Sequence, residues 1–421
     1  MELQTAKGVR DFLPKEKIAR EKVVSTIKEV FELYGFSPLE TPILERLDVL
    51  ASKYAGGAEI LKETFKLKDQ GDRDLALRYD LTVPLSRVIG MNPQLKMPFK
   101  RYAIGRVFRD GPIKLGRYRE FWQCDVDVIG IRQMSAEAEL LSLTSDIFKR
   151  LKLDVVIRVN NRKVLNGIIE EAGIDKSKEE TVILSIDKLE KLGEDYVVKE
   201  LDDKGIDKKM ADKLISLIKT KSITNLGKLL NTEEGKEGLK ELEDLFVYLK
   251  QFNVKNAILD TSLARGLSYY TGTVYEVFLN KGEIKSSIAA GGRYDKMIGS
   301  FLESNREYPA VGISFGLNTL MDAIKADGSE TVSMLFIIPI NTFKQSIKVV
   351  KELRDNGIKA DIDLMQRGPS KNLKYANSLG IPYVLFIGED EIKKKRFKLK
   401  EMKTGKERTL GIASIIKELS N

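Results

Sequence analysis

The chain has 421 residues, 42% of them apolar and 32% charged, with eleven prolines; at roughly 150 residues per domain this is two or three globular domains, neither disordered nor fibrous. Lys and Arg outnumber Asp and Glu by 71 to 62, there is one cysteine, and there is no histidine at all. These counts exclude an internal disulfide framework, a thiolate zinc cluster, a Ser-His-Asp triad, an imidazole general base and any His-containing metal site.

Chemistry must therefore rest on Arg, Lys, Asp, Glu, Tyr, Gln and backbone groups, an inventory suited to positioning and neutralising a phosphorylated substrate. The longest apolar runs, such as Val332 to Ile340, fall well short of the roughly 20 residues a membrane helix needs. MELQTAKGVRDFLP lacks the pattern of a secretory leader. A cytoplasmic protein with no membrane partner is expected.

In chain order, Pro14 to Tyr34 reads as an amphipathic helix with Val23, Ile27, Val30, Phe31 and Tyr34 at helical spacing, closed by Gly35. A strand-like stretch with prolines follows. RYAIGRVFRD (101–110) and REFWQCDVDVIG (119–130) alternate as strands do and are joined by a Gly- and Pro-containing loop. The second strand carries Trp122, Cys124, Val126 and Val128 on one face and Gln123, Asp125 and Asp127 on the other. From alternation alone the polar face reads as the solvent side of an antiparallel sheet, with a functional surface as the alternative. Five arginines lie between Arg101 and Arg119; a hairpin would gather their forks at one mouth, giving either a phosphate site or a solvated tip.

Residues 171–250, dense in charge and poor in aromatics, read as a helical insert in a strand-rich pattern that resumes near Asn256. Strands are expected at Val274 to Leu279 and Ser287 to Ala290, and a helix after Gly316. Beyond residue 330, strand and helix alternate: a strand in MLFIIPI, a helix over Thr342 to Asn356, a strand over Ala360 to Leu364, a helix over Pro369 to Leu379 and a strand over Tyr383 to Ile387, a small α/β domain. Residues 331–421 hold 18 basic against 10 acidic side chains, a plausible polyanion surface. If residues 393–400 form a strand, Arg396, Lys398 and Lys400 line one face for phosphate, or else serve as an edge kept soluble by lysines. Neither Gly-x-x-x-x-Gly-Lys-Ser/Thr nor Gly-x-Gly-x-x-Gly occurs.

RVFRDGPIKLGRYREFWQCD (106–125) resembles motif 2 of class II aminoacyl-tRNA synthetases in its histidyl form, and LARGLSYYTGTVYE (263–276) with AAGGRYD (289–295) resembles the two histidine signatures of the histidyl-tRNA synthetase family. KGVRDFLP (7–14), LALRYDLTVP (75–84) and YPAVGISFGL (308–317) are similar to that family's opening, amino-group pocket and motif 3. The resemblance covers nearly the whole chain. It implies an α+β catalytic domain (1–326) with an antiparallel six-stranded sheet, interrupted by the helical insertion 171–250, and a C-terminal α/β anticodon-binding domain (331–421). The implied activity joins histidine to its tRNA through histidyl-adenylate, with ATP as substrate and Mg²⁺ on its phosphates.

Carried over by matched position, Arg109 would bridge the amino acid carboxylate and the α-phosphate, with Arg265 opposite it and Arg117 on the outer phosphates. Asp80, Thr82 and Gln123 would hold the α-ammonium. Asp127 and Tyr270 would serve the two imidazole nitrogens, with Tyr269 and Tyr294 closing the pocket and Ala289, Ala290, Gly291 and Gly292 letting backbone lie close. No His or Cys metal ligands are implied. Partners would be histidine tRNA, L-histidine, ATP and a second copy of the chain in a homodimer built on motif 1.

Two positions depart from the pattern: Thr319 stands where motif 3 has the arginine that stacks on adenine, and Gly111 where motif 2 has an acid. The alternative is a catalytically silent, histidine-sensing regulatory paralogue of ATP phosphoribosyltransferase.

Overall fold

The structure, a computed structural model, describes residues 2–51, 61–113, 117–264, 269–302, 307–324 and 330–420. Two compact units are present: residues 1–10 with 23–325, and residues 11–22 with 326–421.

The larger unit is organised by one sheet. Its strands, in chain order, are β1 (Ser37–Pro38), β5 (Phe99–Phe108), β6 (Glu120–Ile129), β7 (Val155–Asn161), β8 (Ala257–Leu259), β9 (Thr273–Leu279), β10 (Ala289–Arg293) and β11 (Ala310–Gly316). The intervening β2 (Leu44–Arg46), β3 (Lys66–Lys68) and β4 (Asp74–Leu77) form a separate three-stranded sheet. The spatial order is β1-β5-β6-β11-β10-β9-β7-β8. The six inner strands pair antiparallel throughout, and a short parallel strand is added at each edge. The expected six-stranded antiparallel sheet is thus the centre of an eight-stranded mixed one.

Two helices cover one face. In α1 (Pro14–Leu33), Ile27, Val30 and Phe31 are fully buried, and Gly35, at φ +75°, supplies the left-handed turn that ends it. In α3 (Ser135–Arg150), which follows α2 (Thr82–Met91), Leu140, Leu141, Leu143 and Ile147 do the same. Phe315 of β11 meets Phe31 at 6.0 Å and Phe148 at 5.8 Å between ring centres, so both helices grip the same strand. Cys124, Val126 and Val128 point into this core. Asp125 and Asp127, on the opposite face, are each only 3% exposed. The solvent-side reading of that face is corrected here: the second face is roofed by segments from outside the sheet.

The strand expected at Ser287 to Ala290 instead begins at Ala289 and runs through Gly291 and Gly292 to Arg293. The Gly pair lies within this strand. A Cβ on Gly291 would sit 2.1 Å from the Gly312 carbonyl, and one on Gly292 2.5 Å from that of Thr273. The glycines are there for close strand approach. The insert is helical as read, with α4 (Arg162–Glu171) at its entrance and α5 (Glu233–Gln251) at its exit. Its buried Val182, Leu201, Leu214 and Leu242 belong to the same core cluster as the sheet. No described helix is long and apolar enough to cross a membrane.

The smaller unit contains β12 (Leu335–Pro339), β13 (Ala360–Ile362), β14 (Tyr383–Ile387), β15 (Phe397–Glu401) and β16 (Glu407–Leu410), in the order β13-β12-β14-β15-β16. The first three are parallel and alternate with α7 (Phe343–Asp355), preceded in the larger unit by α6 (Leu317–Ile324), and α8 (Pro369–Ser378). An antiparallel hairpin and α10 (Ile412–Leu419), after α9 (Glu389–Lys394), complete it.

Here the conditional strand over 393–400 fails at its start. Lys393 and Lys394 are the last turn of α9, and Lys395 ends it at φ +51°. Three acids in the first turn, two lysines in the last and a bond from the Gly388 N–H to Glu391 at 3.0 Å favour helix there. From Phe397 the chain is strand, with Phe397 and Leu399 in the core. β15 lies between β14 and β16, so the edge-strand alternative is also corrected.

Candidate active site

The face of the large sheet away from α1 and α3 carries two neighbouring cavities that share Arg109, Gln123, Ala290 and Ser314. The smaller, about 170 Å³, is lined by Asp80, Thr82, Arg109, Gln123, Asp125, Asp127, Tyr269, Tyr270 and Tyr294 together with Ala290, Gly291, Gly292 and Gly312. The larger, about 320 Å³, is lined by Arg109, Arg117, Gly111, Thr319, Glu63, Trp122 and Phe121 among others. Residues spread over more than 200 positions of chain thus converge on two adjoining spaces.

Strand register explains the floor. Asp127 faces Arg101 of β5 on one side and Gly312 of β11 on the other, and Gly312 in turn faces Gly292 of β10. A Cβ on Gly312 would lie 2.0 Å from Asp127 Oδ1, so only glycine leaves that carboxylate its place. Asp127 Oδ1 accepts from the Tyr294 hydroxyl at 2.5 Å, and Oδ2 pairs with Arg101 Nη2 at 2.7 Å. Burial pushes the Asp127 carboxyl upward, against the opposing pull of Arg101 and Tyr294.

One strand row along, Asp125 faces Ser314, and Gln123 Nε2 donates to the Ser314 hydroxyl at 3.0 Å. Asp125 is pushed up to about 7, chiefly by burial. Asp80 precedes α2, accepts from the Val83 N–H at 3.0 Å, and is raised by burial to about 6. Tyr269 stacks edge-on against Tyr270 at 4.6 Å and against Tyr294 at 6.3 Å. Burial moves all three hydroxyls well above the usual phenol range, so they stay protonated donors.

Tyr294 is held by its neighbour. Arg293 forms a two-pronged buried pair with Glu137 of α3, at 2.6 and 2.8 Å, and reaches the Ile131 carbonyl and Asp295.

Arg109 leaves the end of β5 with its Nε donating to the Tyr79 carbonyl at 3.2 Å and its guanidinium 5.2 Å from the Phe121 ring centre. This anchoring fixes the fork where the two cavities meet. Arg117 lines the larger cavity and is exposed. Arg265 lies outside the described residues.

The other nine residues singled out from sequence all line one or both cavities. Glu63, Ser314 and Gly312 were not singled out; Asp125 was noted only for its strand face, and Arg101 only as one of the arginines expected at the hairpin mouth, whereas it is buried against Asp127. Glu63 has no local signal. Its carboxylate lies against Gly111, where a Cβ would come within 2.9 Å, so a carboxylate occupies that neighbourhood although position 111 lacks one.

Such an arrangement can bind a small zwitterion with a polar ring beside a larger polyanion, and bring a carboxylate up to a phosphate at Arg109. Comparison with known proteins agrees. The family profile "Histidyl-tRNA synthetase" matches residues 8–320, and "Anticodon binding domain" matches residues 335–421. "Histidine--tRNA ligase 1" of Bacillus cereus (strain ZK / E33L) is 47% identical over 424 aligned positions, covering 99% of each chain. The crystal structure of histidyl-tRNA synthetase from Nostoc sp. PCC 7120 superposes with a TM-score of 0.90 at 32% identity, covering 100% of this chain and 99% of that one. A structure from Bacillus halodurans C described as an ATP phosphoribosyltransferase regulatory subunit/histidyl-tRNA synthetase shares the fold, with a TM-score of 0.77 at 21% identity over 92% of this chain and 99% of that one. With more than two thirds of its length matched at nearly half identity and with this constellation in its sheet, the chain belongs to the histidyl-tRNA synthetase family.

Proposed function

We propose that the chain is a histidine–tRNA ligase that works in two steps at the paired cavities. A carboxylate oxygen of L-histidine attacks the α-phosphorus of ATP, the bond to the β-phosphate breaks, and pyrophosphate leaves. The ribose hydroxyl at the 3′ end of histidine tRNA then attacks the adenylate carbonyl and AMP leaves. The observation that carries this is Arg109 at the junction of a small pocket lined by acids and tyrosines and a larger pocket with a second arginine.

In this reading Arg109 holds carboxylate and α-phosphate at attack distance and neutralises charge that grows during displacement. Arg265 acts from the other side. Asp80, Thr82 and Gln123 take the ammonium; Asp127 accepts from one imidazole nitrogen while the Tyr270 hydroxyl donates to the other, and Tyr269 and Tyr294 close the pocket. Buried groups that read both nitrogens reject analogues lacking them by about 10⁴ to 10⁵.

Arg117 serves the outer phosphates. Glu63 gives the larger cavity one hard oxygen donor compatible with Mg²⁺, which when bound neutralises pyrophosphate. Glu63 also takes the place of the acid absent at Gly111. Residues 1–326 form the catalytic domain and 331–421 read the anticodon; the enzyme is a cytoplasmic homodimer with an isologous contact at motif 1.

The regulatory-paralogue reading has only Thr319 in its favour, and likeness at 21% identity speaks to fold alone. ATP–pyrophosphate exchange measured with each amino acid separates the two. Exchange with histidine alone is expected; silence with every amino acid would overturn the ligase.

A further inference from the structure

Inside the smaller cavity three buried acceptors make no hydrogen bond among the described residues, Oε1 of Gln123, Oδ1 of Asp125 and Oδ2 of Asp127, and of these only the last is in an ion pair, with Arg101 at 2.7 Å. Gln123 and Asp125 stand two residues apart on the same face of β6. Both are cross-linked to β11 through Ser314, which accepts from Gln123 Nε2 at 3.0 Å and bonds to the Asp125 carboxylate. Asp125 is 97% buried, being only 3% exposed. Leaving a buried carboxylate oxygen without a donor costs more than a typical hydrogen bond returns. Asp127 is in a different position, since Tyr294 and Arg101 already engage its two oxygens.

From this we infer that Asp125 is a substrate-binding residue of the ligase: its Oδ1, in place of Thr82, joins Gln123 Oε1 and Asp80 in a cage of three acceptors for the α-ammonium of histidine. An ammonium offers three N–H donors in a tripod and no acceptor. The three acceptors line the same small cavity, two from β6 and one from the segment before α2, and equal the ammonium donors in number. An imidazole ring offers one N–H when neutral and cannot fill two orphan acceptors together with Asp80. The inference deepens the proposed function and rests on it only for the identity of the ligand.

A pH signature follows. The charged and titratable groups around Asp125 are Arg101 from β5, Asp127 from β6, Arg78 and Asp80 from the segment before α2, and the Tyr270 and Tyr294 hydroxyls. With burial dominant, the empty site keeps the Asp125 carboxyl up to about 7. The ammonium requires it ionised, so binding releases a proton below that pH and weakens as pH falls through it. Asp80, at about 6, adds the same trend lower down.

The test uses two ligands of the whole protein in equilibrium binding, read by calorimetry. Histidinol keeps ammonium and imidazole; 3-(imidazol-4-yl)propanoate keeps imidazole and carboxylate but has no ammonium. Asp125→Asn should weaken histidinol by ~10- to 100-fold, the size of one hydrogen bond to a charged group, and leave the propanoate within about two-fold. The ratio of the two affinities, each first corrected for its ligand's own separately measured imidazole titration, should fall below pH 7 in the natural protein and flatten in the variant. Equal loss for both ligands, or loss for neither, overturns the assignment. Asp125→Ser, read the same way, serves if the amide variant does not fold. A natural protein that binds histidinol but exchanges no pyrophosphate would sink the ligase reading and leave the cage standing; normal exchange with an unchanged ratio would sink the cage alone.

Discussion

Arg101 and Asp127 face each other across neighbouring strands of the larger sheet, just as Lys400 and Glu407 do across the hairpin of the smaller one. The ion-pair distances are alike, 2.7 Å and 3.2 Å. Their surroundings are not: the first side chains are 1% and 4% exposed, the second 26% and 41%. In water the second pair is screened and contributes at most about 1 kcal/mol. In the interior the first pair has no solvent to fall back on, and Arg101 is the counter-ion that opposes the effect of burial on Asp127.

The consequence is functional as well as energetic. Burial pushes the Asp127 carboxyl upward and Arg101 opposes that push, so the charge of the cavity floor is set by this one pair. Lys398 and Lys400 share Glu407 at 3.6 and 3.2 Å on an open surface, where charge is available to a large polyanion at little cost to the fold. One sheet buries its charge pair beneath a cavity; the other leaves its charges in solvent.

The difference can be broken most severely at Arg101. Arg101→Met should destabilise the larger unit by ~3–5 kcal/mol, since it strands Asp127 without its counter-ion, read as a fall in the urea midpoint at constant slope. A loss below about 1 kcal/mol would mean that the buried pair behaves like the surface one.

Next in size, Arg109→Ala should reduce histidine-dependent pyrophosphate exchange by ~10²- to 10³-fold, as for removal of one preorganised donor at a developing charge. Its melting temperature should stay near that of the natural protein, because among the described residues the Arg109 side chain makes one hydrogen bond, to the Tyr79 carbonyl, and a ring contact. A parallel fall in stability and activity would identify it as structural.

Smaller is the effect expected at Thr319, which lines the larger cavity. Thr319→Arg should lower the ATP Michaelis constant several-fold through stacking and cation–π contact worth roughly 1 kcal/mol, with the histidine constant unchanged. A raised ATP constant would show that the cavity is already filled from another side.

Least should change in the folded state when Lys398 and Lys400 become Gln. Stability should move by less than about 1 kcal/mol. The tRNA Michaelis constant should rise, and its salt dependence should flatten by about one unit of slope for each lysine that had neutralised a phosphate. Unchanged tRNA kinetics would confine both lysines to the surface pairing with Glu407.

What could be read from residue order alone was whatever depends on near neighbours. Helix α1 is marked by apolar spacing and Gly35, the strands β5 and β6 by alternation, and the α/β pattern of the smaller unit by apolar runs between Gly-terminated helices. The motif strings placed nine described site residues around two adjoining cavities, because a strand fixes which residues share a face and a motif fixes the strand.

Tertiary structure decided what lies on the other side of each face. Alternation could not tell whether Asp125 and Asp127 meet water or a roof of tyrosines, since period two reports a face and not its cover. Residues 393–395 went to a helix end because a cap at Gly388 and charges at both ends of α9 outweighed a strand pattern. That Gly291, Gly292 and Gly312 are required by neighbouring strands and by Asp127 within the reach of a Cβ is visible only in the fold. Glu63, far from motif 2 in the chain, lies against Gly111 by folding alone. Burial, close approach and partner choice are set by residues distant in sequence, and they turn a row of ordinary acids and arginines into a site.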